Sequence, residues 1–303
     1  MSSHSEASSR ATLVLIAGAV CISFAAIFVK WLGEDTLGPT AIGFWRTIMG
    51  GIILFLMAAI GGKKLGMSAP IFGFAIVAGF IFFLDLFFWH RSILYSGAGM
   101  ATILANTQVF ATAVLGFLIF RERIGVRFVI AALSAMIGVV LLVGLATEEV
   151  AFSGRYAHGI IFGLLTGIVY ASYIITVKRA GQRESFPDYL TFMAWASIFS
   201  AFFLGVATLL ESSPAMPPDL GSWAILFLLA LVAQALGWWA ISNSLKKIPA
   251  SRAGLILLLQ PTLATVWGII FFAEYLHYLQ VIGAIITLTA IYIGSLRRAE
   301  VSN

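Results

Sequence analysis

Displaced by 152 residues, the chain lies on itself, and few folds accommodate that match. At this offset Ala98 falls on Ala250, Ala101 on Ala253, Gln108 on Gln260, Val114 on Val266, Gly116 on Gly268, Phe120 on Phe272 and Glu122 on Glu274. Nearer the start of each half the offset shortens to 148, pairing Val29-Lys30 with Val177-Lys178 and Pro39 with Pro187. Such self-similarity marks one structural unit used twice. Each copy carries five apolar segments near the ~20 residues that cross a bilayer, so the second copy enters from the opposite face. The fold class expected is an all-α integral membrane protein of ten transmembrane helices in two inverted five-helix repeats (5+5), residues 11–145 and 157–296. Inverted repeats of this kind build secondary transporters, whose substrate sites lie near the midplane.

Composition agrees. The chain is 61% hydrophobic and 10% charged, with a mean hydropathy of +1.02, where a soluble domain carries about a quarter charged residues. Spans are expected near 11–31, 39–61, 69–91, 97–119, 125–145, 157–177, 187–210, 221–243, 250–272 and 276–296. Pro39 and Pro187 stand at helix starts, where a missing N–H costs nothing. Pro214-Ala215-Met216-Pro217-Pro218 separates the seventh and eighth spans. The first span reads as retained rather than as a cleaved leader: only Arg10 precedes its apolar run, and Val20 is wrong before Cys21 for a lipoprotein site. As the sole cysteine, Cys21 permits neither an internal disulfide nor a cysteine metal cluster.

The basic residues sort by side. With a cytoplasmic N-terminus, fourteen fall at cytoplasmic ends: Arg10; Lys63 and Lys64; Arg121, Arg123 and Arg127; Lys178, Arg179 and Arg183; Lys246, Lys247 and Arg252; Arg297 and Arg298. Lys30, Arg91 and Arg155 fall on the opposite face, and Arg46 lies within a span. That asymmetry is the positive-inside pattern and puts both termini in the cytoplasm. It also accounts for the net charge of +5 through topology, leaving no case for a nucleic-acid partner.

Several short stretches resemble the EamA-type drug/metabolite transporter superfamily: Phe44-Trp45-Arg46, Tyr95-Ser96-Gly97-Ala98, and Phe120-Arg121-Glu122-Arg123-Ile124, which is similar to that family's Gly-Glu-Arg-Leu signature. The repeat counterpart Phe272-Ala273-Glu274-Tyr275-Leu276 is looser. The resemblance spans about residues 11–296. It implies a bundle around a central cavity lined by helices one, three, four, six, eight and nine, in a multi-pass protein of a bacterial inner membrane. Many members export amino acids or related metabolites. Tyr170-Ala171-Ser172-Tyr173 and Asn106-Thr107-Gln108 resemble the aromatic amino-acid exporters among them.

Polar groups inside hydrocarbon are costly and require partners. Asp85 is the acid well inside a span, and Arg46 lies at similar depth, ~10–12 Å below the outer face at 1.5 Å per residue. The two form either a structural ion pair or a charged cavity wall, with Asp85 also a candidate for proton coupling. Gln108 and Gln260, related by the repeat, either bond each other or offer their amides to a substrate alongside Asn106. Pro261 frees a carbonyl one turn back. Tyr170, Tyr173, Gln234, Trp238 and Trp239 complete the candidate binding set, the aromatics being core packing or cavity wall. Trp31 and Trp223 read as interfacial belt. His90-Arg91 reads as a snorkelling pair at the end of the third span. Gly159, Gly163 and Gly167 strip one face of the sixth span for close helix packing.

No hydrolase, metalloprotease or phosphate-loop motif is present. The expectation is therefore a carrier and not an enzyme, without cofactor or metal. It would be driven by a substrate gradient, an ion or exchange, with a small molecule and membrane lipid as partners. Two halves in one chain remove the need for a dimer to form the pathway, so a working monomer is expected, with a dimer left open. The rivals are a carrier for other metabolites or cationic compounds, and a lipid scramblase or pore.

Overall fold

A computed structural model describes residues 2–32, 36–143, 154–273 and 277–295 of the chain. Glu274, Tyr275, Leu276, Arg297 and Arg298 lie outside the described residues, as do the side chains of Ala98 and Arg155. The described residues are helical and turn, with no strand. The helices are α1 (Ser2–Ser23), α2 (Ala25–Leu32), α3 (Pro39–Ile60), α4 (Ala69–Asn106), α5 (Gln108–Phe120), α6 (Val126–Val143), α7 (Gly154–Gly181), α8 (Tyr189–Leu209), α9 (Leu220–Leu228), α10 (Trp238–Leu245), α11 (Ala250–Leu257), α12 (Leu259–Phe272) and α13 (Tyr278–Ser295). A π-helical stretch, Leu229–Gly237, joins α9 to α10. Among the described residues, eight segments are long and apolar enough to cross a membrane, and Val126–Leu141 and Tyr278–Gly294 are shorter apolar helices. Their outward faces are greasy: Leu118, Val126, Ile130 and Leu209 are all exposed, as lipid contact requires.

The interruptions have local causes. Ser23 donates its hydroxyl to the Val20 carbonyl at 2.6 Å, a back-bond that bends helices, and α1 gives way to α2 at Phe24. Pro261 has no N–H for the carbonyl of Leu257, and the helix breaks beside it, at Leu258, whose N–H turns to Leu255. In the first half the equivalent break falls at Thr107, whose hydroxyl bonds the Leu104 carbonyl at 2.5 Å.

The sequence leads one to expect two spans, 69–91 and 97–119, and two apolar spans are found, Ala69–Ile93 and Ala101–Phe120, with helix α4 running across their junction. A straight rod is excluded by its contacts. Ser92 and Leu104, about 18 Å apart in a straight helix, both meet Gly163 of α7, and Ser96 meets Gly159. The chain therefore doubles back between Ser92 and Leu104. The glycine stripe is the seat of this bend: Gly159, Gly163 and Gly167 abut Ser96, Leu104 and Thr107 in turn, where any side chain would collide.

Packing partners recur at the repeat offset. Helix α3 lies on α8, α5 on α11 and α6 on α13, while the α4–α7 contact is echoed by α1 against α10 and the π-helical stretch. The two non-glycine residues with left-handed backbone among the described residues are Arg121 (φ 55°) and Ala273 (φ 51°), which stand 152 positions apart and close α5 and α12. One core runs through the bundle around Leu15, Leu54, Phe82, Tyr173, Phe192 and Leu255. A smaller one, around Phe28, Leu37, Ile42 and Leu226, caps one end.

Candidate functional site

Between the helices lies a cavity of ≈ 190 Å³. Its polar wall is Arg46 of α3, Asp85, Thr102 and Asn106 of α4, Thr166 and Tyr170 of α7, and Gln260 of α12. Phe82, Trp89 and Trp238 supply apolar faces. Both legs of the bent α4 contribute, so the reversal at Ser92–Leu104 is what carries Thr102 and Asn106 back beside Asp85. Phe82, Asp85, Leu86 and Trp89 recur at helical spacing on one face. That period, read outward from Asp85, is the signal that would have found Phe82 and Trp89. Thr102 and Asn106 are likewise one turn apart. Thr166 stands one turn before Tyr170 on α7 and carries the same signal.

Arg46 and Asp85 face the same space and are 8% and 9% exposed. They do not form the direct ion pair that the sequence left open: no nitrogen–oxygen approach between them is within 4.0 Å. Arg46 instead donates Nε–H to Oε1 of Gln234 at 3.1 Å, and the Gln234 amide donates to Ser197 Oγ at 3.0 Å. Gln234 is wholly buried in the π-helical stretch. It is seated against Gly50, where a β-carbon would run into its side chain. The remaining guanidinium nitrogens and the Asp85 carboxylate have no hydrogen-bond partner among the described residues.

The two repeat-related amides also part company. Gln108 is fully buried and donates to the Gly254 carbonyl at 2.9 Å. That carbonyl is left over because Leu258 bonds Leu255 at the α11 break. Gln260 reaches the cavity and donates to the Tyr170 hydroxyl at 3.1 Å. Asn106 donates to Thr102 O at 2.7 Å, leaving its own carbonyl for the cavity. Tyr173 sits one turn below Tyr170, 1% exposed, stacked on Phe82 at 5.0 Å and edge-on to Trp238 at 4.8 Å. It forms the floor's second layer. Trp239 packs against the main core. Of the sequence candidates, then, Arg46, Asp85, Asn106, Tyr170, Trp238 and Gln260 line the cavity, whereas Gln108, Tyr173, Gln234 and Trp239 support it or lie elsewhere.

Beyond Tyr173, α7 continues through buried Val177 to Lys178. Glu122, just past α5, accepts the backbone N–H groups of Ala250 (2.6 Å) and Ser251 (3.1 Å) and the Ser251 hydroxyl (2.9 Å). It thus caps the N-terminus of α11, where a carboxylate is favoured by the helix dipole. Lys178 closes the group, 3.2 Å from Glu122 and 2.5 Å from the Ile248 carbonyl, with its ammonium 5.1 Å from the Phe120 ring. At the other end Lys30 lies 4.3 Å from Phe272, the same lysine–phenylalanine pair in the other half. There Arg91 bonds Glu211 at 2.7 Å, which also accepts from Thr40 at 2.9 Å. Arg91 is therefore tied down by an acid rather than snorkelling, and its neighbour His90 is buried.

Comparison with known proteins agrees with this architecture. The model of the EamA-like transporter family matches residues 9–144 and again 157–296. An uncharacterised transporter of Archaeoglobus fulgidus is 27% identical over 283 residues, 92% of this chain and 94% of its own length. A probable amino-acid metabolite efflux pump of Salmonella typhimurium is 25% identical over 205 residues, 65% of this chain and 67% of its own. One solved structure superposes with a TM-score of 0.83 at 16% identity, over 95% of this chain and 96% of the other, a likeness of fold. The chain belongs to the EamA-like transporter family.

Proposed function

We propose that the protein is a secondary active carrier that exports amino acids, neutral or aromatic, or related small metabolites across a bacterial inner membrane by alternating access. In this reading ten spans form two inverted halves, 11–145 and 157–296, with both termini cytoplasmic, and a monomer suffices. The observation that carries the proposal is the cavity. Its largely apolar, aromatic-flanked wall carries a few polar and charged groups, and it is smaller than the roughly 300–1,000 Å³ of drug-sized sites. Behind it Tyr173 packs on Phe82 and Trp238, and farther along α7 Lys178 pairs with Glu122. A cavity enclosed between two repeated halves is where alternating access places its substrate. Supporting the two-half reading are the packing partners and the left-handed caps that recur at the repeat offset. Relatives described as efflux pumps for amino-acid metabolites favour the export direction.

The test is uptake of labelled phenylalanine, tryptophan and threonine into liposomes containing the purified protein, with and without the same compound preloaded. A carrier gives saturable uptake that preloading accelerates. Leakage that neither saturates nor responds to preloading overturns the carrier reading in favour of a pore.

A further inference from the structure

We propose that the cavity is a clamp for a zwitterion, in which Asp85 receives the α-ammonium and Arg46 the α-carboxylate of a free amino acid, while Phe82, Trp89, Tyr170 and Trp238 flank its side chain. The inference rests on the carrier reading and names the substrate chemistry of the same cavity.

The argument starts from cost. Taking either charge out of water is expensive, and the usual remedy is to pair the two. This protein uses that remedy elsewhere, holding Lys178 and Glu122 at 3.2 Å. Around the cavity it withholds it: Arg46 and Asp85 border one small space, nearly buried, without closing on each other. The separation is built rather than accidental. Gln234 takes the Arg46 Nε–H and is itself fixed by Ser197. The widened π-helical turn and the missing side chain of Gly50 give it room. Such π-helical segments are frequent at functional sites. The guanidinium is thus held from the side, with its terminal donors left for a ligand.

Complementary chemistry then selects the ligand. A guanidinium fork matches a carboxylate, to which it can donate two parallel hydrogen bonds. An ionised carboxylate accepts only, and an ammonium offers three donors. A zwitterion brings both and leaves the occupied site neutral. A cation satisfies Asp85 but strands Arg46, and an anion does the reverse, so each single-charge compound leaves one buried charge without compensation. The aromatic wall is ordered: Tyr170 and Trp238 meet edge-on at 5.7 Å, and Phe82 meets Trp238 at 5.3 Å. It offers flat apolar surface to an aromatic or branched side chain.

The decisive experiment uses the unaltered protein in liposomes, with preload-driven uptake of labelled L-phenylalanine as readout. The competitors are unlabelled L-phenylalanine, L-phenylalaninamide (no carboxylate) and 3-phenylpropanoate (no ammonium). The clamp predicts half-inhibition by phenylalanine at a concentration at least tenfold below that of either analogue. An analogue effective within threefold of phenylalanine overturns the clamp and leaves the carrier standing. Absence of saturable uptake for any amino acid overturns both. Variants sharpen the assignment: Asp85→Asn should bring 3-phenylpropanoate level with phenylalanine, and Arg46→Gln should do so for the amide. Full discrimination retained in both variants would overturn the roles given to these side chains.

Discussion

Glu122 and Asp85 are both carboxylates that the first half of the chain carries into the bundle, and the protein treats them in opposite ways. Glu122 is saturated: two backbone N–H groups, one hydroxyl and the Lys178 ammonium surround it, and the pair is 11% and 7% exposed. Asp85 is left facing the cavity with no hydrogen bond, opposite an arginine that a glutamine holds aside. A saturated buried charge ties helices together, and removing one partner strands the other. A buried charge kept without a partner costs stability and stays tolerable only if something else satisfies it in the working cycle. The first arrangement is a fastening between α5, α7 and α11. The second is a charged wall of the cavity.

The comparison breaks or sharpens most visibly at Glu122. Glu122→Ala leaves Lys178 without its counter-ion and α11 without its cap, and should cost roughly 3–5 kcal/mol, read as a large fall in unfolding midpoint in detergent. An unchanged midpoint would mean the group fastens nothing. Next in size is Gln234→Leu, which removes the buried amide beside the guanidinium. A loss of about 2 kcal/mol, with a raised KM, is expected in paired melting and uptake measurements. Loss of stability alone would reduce Gln234 to packing. Asp85→Asn should invert the Glu122 pattern: KM for phenylalanine rises about tenfold, equivalent to ~1.4 kcal/mol, while the melting temperature holds or increases. A marked fall in melting temperature would place Asp85 with Glu122 as a fastening. The smallest effect belongs to the caps. Ala273→Gly relieves a left-handed backbone and should add up to about 1 kcal/mol without altering transport; a drop in midpoint would contradict the strain.

The large features were legible because they rest on pattern. Apolar length located the helices, the odd number of segments per repeat implied inversion, and the four-residue glycine spacing identified the face of α7 on which α4 lies. Asp85 and Arg46 stood out because charges inside spans are rare and costly. What was hidden depends on how helices are rotated and where backbone bonding lapses. Gln108 and Gln260 look equivalent in sequence. One, however, meets a carbonyl released by the break at Leu258, and the other meets Tyr170. The π-helical stretch, which seats Gln234 between Arg46 and Ser197, has no signature in residue type at all. Pairing at a given depth was readable to within a turn, and a turn is the difference between an ion pair and a cavity wall.

The most direct measurement is the shift in melting temperature of the purified protein on adding ligand, since it reads binding without transport. A ligand at 100 times its Kd stabilises by about 2.7 kcal/mol. The account predicts a clear upward shift with L-phenylalanine at 100 times its Kd, a shift at most about half as large with L-phenylalaninamide or 3-phenylpropanoate at the same concentration, and a phenylalanine shift cut to about half in Asp85→Asn. Equal shifts from all three compounds, or a phenylalanine shift that survives Asp85→Asn undiminished, would contradict the claim that these charges are kept apart for a zwitterion.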